Sequence, residues 1–369
     1  MRSVGARRVT VGLVCGVLLL SGCARFDDSA SSPFTDEPTP EAAELEPTKP
    51  KGPESSTTRP SGPCIDPDPA VVVSCLDTTG GLIELGGYAL VAERRTGRIL
   101  KVTPEQPPVE VARVDVDPAG DGGLSDIAVA PTYGEDGLIY AYVTTASDNR
   151  VVRIAEGGDP KPVLTGIPKG ATGNRGAIDW VSDDQMLVLT GDSGDPAAAA
   201  NPSSRAGKLL RVNNPTANGN SPTEVAVSGI GSAGDICLGG DQIWITDRTP
   251  ALDRLQRIAP DGTVSTAWTW PDRPGVAGCA VTAEGVAIAL TEAKALAMAE
   301  PDPTTFAVTA PPSVFLANKY GRMLGATAAM DGMIWVSTAN KSEGGQPTPN
   351  DDRVVRIPPP SSASGGGPD

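Results

Sequence analysis

The sequence predicts an all-β chain, a six-bladed β-propeller closed by a strand from its own N-terminal side. Three observations carry the prediction: a short motif recurs six times, a strand-like run precedes every copy, and no stretch of any length keeps a helical 3.6-residue period. In each copy a basic residue opens a short apolar stretch that often ends in a second basic residue. The copies are Arg98-Ile-Leu-Lys-Val102, Arg150-Val-Val-Arg-Ile154, Lys208-Leu-Leu-Arg-Val212, Arg254-Leu-Gln-Arg-Ile258, Lys294-Ala-Leu-Ala-Met298 and Arg353-Val-Val-Arg-Ile357, with first residues 52, 58, 46, 40 and 59 positions apart. The preceding runs start at Tyr88, Leu138, Met186, Ile243, Val286 and Met333. A period of this size, built from short strands and Gly/Pro/Asp turns, fits blades of four antiparallel strands. The last copy is followed only by a Pro- and Gly-rich tail, so the sixth blade lacks an outer strand. Val71-Val-Val-Ser-Cys75 can supply it and hide an edge that would otherwise pair with other chains.

The ends of the chain read differently. Arg2, Arg7 and Arg8 precede the apolar run Val11 to Leu20, which is too short for the ~20 residues of a spanning helix and fits a signal peptide over residues 1–22. Leu20-Ser-Gly-Cys23 resembles the lipobox of bacterial lipoproteins, in which the cysteine takes lipid and becomes the mature N-terminus. On that reading Cys23 anchors the protein in the membrane lipid, at the outer face of the bacterial cytoplasmic membrane. Residues 23–63 are rich in Pro, Ser, Thr and Glu and cannot bury enough apolar surface to offset chain entropy, so they read as a disordered tether. Extended at ~3 Å per residue, such a tether reaches on the order of 100 Å. The propeller occupies 64–357, and 358–369 is a disordered tail.

Signal cleavage removes three of the 30 basic residues and none of the 45 acidic ones, leaving a balance of −18. So acidic a surface excludes nucleic acid and electrostatic binding to anionic headgroups. Cys15 goes with the signal and Cys23 with the lipid; the remaining four thiols of an exported chain make two disulfides. Three pairings exist. We expect Cys64–Cys75, which closes a short loop, and Cys237–Cys279, which links neighbouring units. No Cys-x-x-Cys pair argues for zinc.

Gly191-Asp-Ser-Gly-Asp-Pro196 differs by one residue from the sequence around the nucleophile of trypsin-like proteases. The chain has no histidine at all, however, so Ser193 has no base and the stretch reads as a turn. Asp115 to Asp126 has acidic spacing reminiscent of a calcium loop, but Ala119 stands at a ligand position and Asp126 replaces the bidentate Glu; no metal is expected there. Gly120 to Gly123 lacks the following helix and Lys-Ser/Thr of a phosphate cradle. Trp244, Trp268, Trp270 and Trp335 sit in strand-like runs and read as packing.

Four segments carry a family likeness: Ala119-Gly-Asp-Gly-Gly-Leu-Ser-Asp-Ile-Ala-Val-Ala-Pro-Thr-Tyr133, Leu164-Thr-Gly-Ile-Pro168, Leu189-Thr-Gly-Asp-Ser-Gly-Asp195 and Asn201-Pro-Ser-Ser-Arg-Ala-Gly-Lys-Leu-Leu-Arg-Val212. In this order they resemble the soluble quinoprotein glucose and sorbosone dehydrogenases, and the likeness extends over about residues 76–357. It implies pyrroloquinoline quinone (PQQ) and calcium over the central channel, and a histidine that takes a proton from the sugar. The histidine's place falls on Gly173. An Arg-Asn pair that holds the quinone falls on Gly231 and Ser232, and a basic cluster ahead of the last blade corresponds to Lys319 and Arg322. With the base absent, we expect a non-catalytic binding or assembly module, with envelope proteins or glycans as partners. Its ligand surface would be the channel mouth near Asp121, Asn174, Arg175, Asp247, Arg248, Lys319 and Arg322. The alternative is a PQQ-dependent aldose dehydrogenase in which Asp121 or Asp247 serves as base.

Overall fold

A computed structural model describes residues 64–360. The signal peptide, Cys23, the tether and most of the tail lie outside the described residues. The described chain begins with β1 (Val71–Val73) and continues into six four-stranded antiparallel sheets. Blade one is β2 (Thr79–Glu84), β3 (Ala89–Glu93), β4 (Arg98–Val102) and β5 (Val109–Arg113). Blade two is β6 (Leu124–Val129), β7 (Ile139–Thr144), β8 (Asn149–Ile154) and β9 (Lys161–Ile167), with the short α1 (Tyr133–Asp136) between its first strands. Blade three is β10 (Gly176–Ser182), β11 (Gln185–Thr190), β12 (Lys208–Asn213) and β13 (Thr223–Ser228), with α2 (Pro196–Ala200) after β11. Blade four is β14 (Ser232–Gly239), β15 (Gln242–Arg248), β16 (Asp253–Ile258) and β17 (Val264–Trp270). Blade five is β18 (Val276–Val281), β19 (Val286–Leu290), β20 (Ala295–Ala299) and β21 (Ser313–Phe315). Blade six is β22 (Met323–Ala328), β23 (Ile334–Thr338) and β24 (Val354–Ile357), and β1 adds to β24 as its outer strand. The ring is therefore closed from the N-terminal side, as the sequence predicts, and both expected disulfides are present.

Each copy of the repeat is the third strand of a blade, and its opening basic residue has a physical task. Arg98 binds Glu93 at 2.7 Å through both Nε and Nη2, and Arg254 binds Asp247 at 2.9 and 2.6 Å. In both pairs the acid sits at the end of the second strand, is completely buried, and would be costly there without its partner. Lys208, also fully buried, instead gives its ammonium to the carbonyls of Ala198, Ala199 and Ala206 around the C-terminal end of α2. The second strands β7, β19 and β23 are buried along their whole length, because each is covered by a neighbouring blade on both faces. The tryptophans pack as expected: Trp244, Trp268 and Trp270 join the cluster between blades four and five, and Trp335 that between blades six and one.

Toward the axis the inner strands approach so closely that side chains are excluded at some positions. A Cβ on Gly278 would lie 2.4 Å from the Leu324 carbonyl oxygen, and one on Gly80 2.6 Å from that of Leu124. The channel left between the inner strands is small, about 190 Å³, and three carboxylates from blades two, three and four face it. The Asp126 carboxylate accepts from the Ile178 amide of the next blade at 2.8 Å, and that of Asp235 from the Cys279 amide at 3.0 Å. They act as staples between inner strands that splay too far apart for a ladder. Asp179 accepts only from the adjacent Trp180 amide at 2.8 Å. Burial pushes the Asp179 carboxyl up to about 6 and that of Asp235 up to about 7, and raises Asp126 as well.

A carboxyl whose folded pKa is raised binds its proton more tightly in the native state, so its penalty appears as pH climbs from about 4 to about 7. Asp179→Asn is therefore expected to leave stability nearly unchanged at pH 4 and to raise it by on the order of 2 kcal/mol at pH 7.5. Urea unfolding of both proteins at the two pH values checks this; an equal change at both pH values would contradict it.

Candidate functional site

The channel widens at one end into a mouth of about 240 Å³ to which all six blades contribute. Blade one gives Thr78 and Arg94, blade two Gly120 and Asp121, blade three Thr172 and Arg175, blade four Arg248, and blade five Thr291 and Glu292. Blade six gives Arg322, Leu324, Ala339, Ser342 and Glu343. Two local rules place these side chains. Arg94, Arg248 and Glu292 stand at the ends of second strands, whereas Asp121, Arg175 and Arg322 lie in the segments that enter first strands.

The four guanidiniums are in different electrostatic situations. Arg94 is 8% exposed and donates to the carbonyls of Pro118, Gly120 and Gly122, holding the loop that precedes β6. Arg322 forms a two-pronged pair with Glu292 at 3.1 and 2.8 Å and donates to the Glu343 carbonyl at 2.9 Å. Arg175, by contrast, makes no side-chain hydrogen bond or ion pair with any described residue, and its Nε is buried. Arg248 has only a 3.4 Å contact to Ser232 Oγ, and its Nε is likewise buried and unpartnered. Burial, with repulsion from Arg248 next, holds the Arg175 guanidinium down to about 10. Burial also lowers Arg248. Two guanidinium forks thus stand at the mouth without a hydrogen-bonded acid of their own, attracted only through space by Asp121 and, for Arg248, by Asp253 and Glu292.

Of the residues expected at the ligand surface, Asp121, Arg175, Arg248 and Arg322 do line the mouth. Three others are corrected. Asn174 is fully buried and spends its amide on Asp121, Gly170 and Asn149. Asp247 is fully buried and accepts from Gly231 N, two nitrogens of Arg254 and Gln256 Nε2, so it belongs to the blade-four lock. Lys319 pairs with Asp68 at 3.0 Å in a separate depression beside the closing strand. Asp121 itself has its oxygens engaged by the amides of Gly173 and Asn174 and by Asn174 Nδ2, at 2.9 to 3.1 Å. Sequence reasoning missed Arg94 and Glu292. A signal for Arg94 was present: Glu93-Arg94 followed by Arg98 repeats Asp247-Arg248 followed by Arg254, an acid for the lock and an arginine for the mouth.

The acids of the calcium-like stretch point to different partners, Asp117 to Lys169, Asp121 to the Gly173 amide and Asp126 to the channel, so they build no cage. Among the described residues the group with metal-like spacing is Asp235, Cys237 and Cys279, and its two sulfurs are joined in the disulfide. Gly191-Asp-Ser-Gly-Asp-Pro196 is the turn after the second strand of blade three: Ser193 donates to the Pro168 carbonyl at 2.6 Å and Asp195 caps α2.

The glycines at the two departures from the family pattern are built into the backbone. At Gly173 the φ is +70°, and a Cβ would lie 2.4 Å from Asp192 Oδ1 and 2.6 Å from the Gly194 nitrogen; at Gly231 a Cβ would lie 2.1 Å from the Arg248 carbonyl oxygen. Gly173→His is therefore expected to lower stability by about 2 kcal/mol or more, through left-handed strain and overpacking, and to create no base. A thermal melt unchanged from the parent would contradict this.

A sequence model of the family described as Glucose / Sorbosone dehydrogenase matches residues 81–234. The PQQ-bound aldose sugar dehydrogenase of Streptomyces coelicolor is 29% identical, with a TM-score of 0.71 over 78% of this chain and 96% of its own. A putative oxidoreductase (glucose dehydrogenase) of Thermus thermophilus is 26% identical, with a TM-score of 0.69 over 78% and 98%. The soluble aldose sugar dehydrogenase of Escherichia coli, 16% identical with a TM-score of 0.65 over 78% and 99%, shares the fold. No curated protein matches the chain. Fold, site and comparisons together define a glucose/sorbosone dehydrogenase-like β-propeller.

Proposed function

We propose that this chain is an exported propeller, lipid-anchored through Cys23, that binds a ligand at its channel mouth without oxidising it. The observation that carries this reading is the pair Arg175 and Arg248: two guanidiniums at a shared concave mouth, both with unpartnered buried Nε atoms, where the family pattern would place redox machinery. Unpaired buried charge is retained at a cost to stability, and such cost concentrates at binding sites. The lipobox-like Leu20-Ser-Gly-Cys23 supports an envelope setting, and the likeness to a PQQ-bound aldose sugar dehydrogenase supports a sugar-related ligand.

The residues at the mouth meet PQQ only in part. Its carboxylates suit the two free guanidiniums, but calcium needs roughly six to eight oxygen ligands. Here the Asp121 oxygens are taken by amides and Glu292 by Arg322. Asp121 and Asp247 are likewise committed acceptors, which argues against the aldose dehydrogenase alternative with either as base. Glu292, 52% exposed, and the exposed Glu343 remain as the accessible carboxylates there. The test is calorimetric titration of the protein with PQQ, with and without calcium. The proposed reading expects any heat to be independent of calcium and to vanish in Arg175→Met. Calcium-dependent binding that survives Arg175→Met would overturn it.

A further inference from the structure

We propose that the mouth seats a compact dianion that carries hydroxyl groups, of the chemical class of sugar phosphates, between the guanidiniums of Arg175 and Arg248. The proposal rests on the mouth being a binding site and adds the chemistry of what binds. Two of the four mouth arginines are already answered, Arg94 by loop carbonyls and Arg322 by Glu292. That leaves two guanidiniums without a hydrogen-bonded acid, and a dianion such as a phosphate brings enough acceptor oxygens to meet both forks. A guanidinium is a planar fork that matches phosphate and carboxylate oxygens in a bidentate manner, which suits Arg175 and Arg248 at the mouth to an oxyanion.

The rest of the mouth restricts the ligand further. Thr78 Oγ1 is buried with no hydrogen-bond partner. Thr172, with no side-chain hydrogen bond to any described residue, adds a second hydroxyl to the lining. Groups of this kind pair with hydroxyls of a polyol. Leu324 and Ala339, buried side chains of blade six, add a small apolar edge to the lining. At about 240 Å³ the space lies below the roughly 300 Å³ at which pockets for drug-sized molecules begin, so it fits a single sugar unit.

The experiment is calorimetry on the full-length chain in non-ionic detergent at pH 7.5, with glucose 6-phosphate, inorganic phosphate, gluconate and glucose as probes. Glucose 6-phosphate is expected to bind at least about 10-fold more tightly than gluconate, as removal of one charge-assisted pair implies. It should also bind more tightly than inorganic phosphate, and glucose should give no heat. Arg175→Met and Arg248→Met are each expected to weaken glucose 6-phosphate by about 10–100-fold. Far-ultraviolet circular dichroism establishes that each variant is folded, and either variant alone suffices should the other fail to fold. Equal affinity for glucose and glucose 6-phosphate, or affinity unchanged in a folded variant, would overturn the proposal. Inorganic phosphate binding as tightly as the sugar phosphate would overturn its polyol part. Sugar-dependent dye reduction with PQQ would overturn the non-catalytic reading and leave the dianion site standing, whereas absence of any heat with the phosphates would do the reverse.

Discussion

Asp247→Ala is expected to destabilise the propeller by about 3 kcal/mol, because it breaks a buried ion pair from one side. The carboxylate is fully buried and accepts four hydrogen bonds, from the Gly231 amide, twice from Arg254 and from Gln256. Its removal strands those donors in the interior, and Arg254, 22% exposed, can recover only part of its solvation. Asp247→Asn keeps an acceptor and should cost less. Denaturant midpoints with constant slopes measure both changes. If Asp247→Ala left stability intact while abolishing ligand binding or turnover, Asp247 would belong to the site after all.

The second large effect belongs to Cys237 and Cys279. Their disulfide joins β14 to β18, the inner strands of blades four and five, across 42 residues. The double Cys→Ser variant is expected to lose about 4 kcal/mol, from the loop-closure entropy returned to the unfolded chain. Packing adds to this, since both cysteines are buried in the cluster that contains Trp244, Trp270 and Leu290. The Cys64–Cys75 bridge spans 11 residues and should contribute less, about 3 kcal/mol. Guanidinium unfolding of the two double variants compares them; a larger loss from Cys64 and Cys75 would show that ring closure through β1, rather than the joint between blades, limits stability.

The fold was legible because its determinants are local and repeated. Each third strand announces itself by a basic residue, which in blades one and four answers a buried acid, Arg98 to Glu93 and Arg254 to Asp247, and in blade three the carbonyls around the end of α2. The closing strand was legible by subtraction, since the last copy ended without an outer neighbour. Of the disulfides, Cys237–Cys279 followed from the adjacency of two repeat units and Cys64–Cys75 from the short loop that it closes. The site was legible only in part, for a different reason. Which polar residue faces the mouth and which turns back into its own blade depends on one or two positions at a strand end. Asp247 and Arg248 are neighbours in sequence, yet one is locked inside blade four and the other lines the mouth. Lys319 and Arg322 diverge in the same way, one toward Asp68 and the other toward Glu292. The engagement of Asp121 by the Gly173 and Asn174 amides requires two blades to be brought together, which spacing within one segment cannot reveal. The channel acids Asp126, Asp179 and Asp235 lie in three different blades and become a group only when the ring closes.

The most direct measurement of the central claim is sugar-dependent dye reduction by the full-length chain in saturating PQQ and calcium, over a panel of aldoses. The account predicts no turnover above that of the free cofactor, since Gly173 leaves no base, Asp121 and Asp247 are committed acceptors, and Glu292 and Glu343 alone fall short of the roughly six to eight oxygens that calcium takes. Turnover that depends on the aldose and is lost in Glu292→Gln would contradict it, and would make this propeller a dehydrogenase that uses its exposed mouth carboxylate as the base.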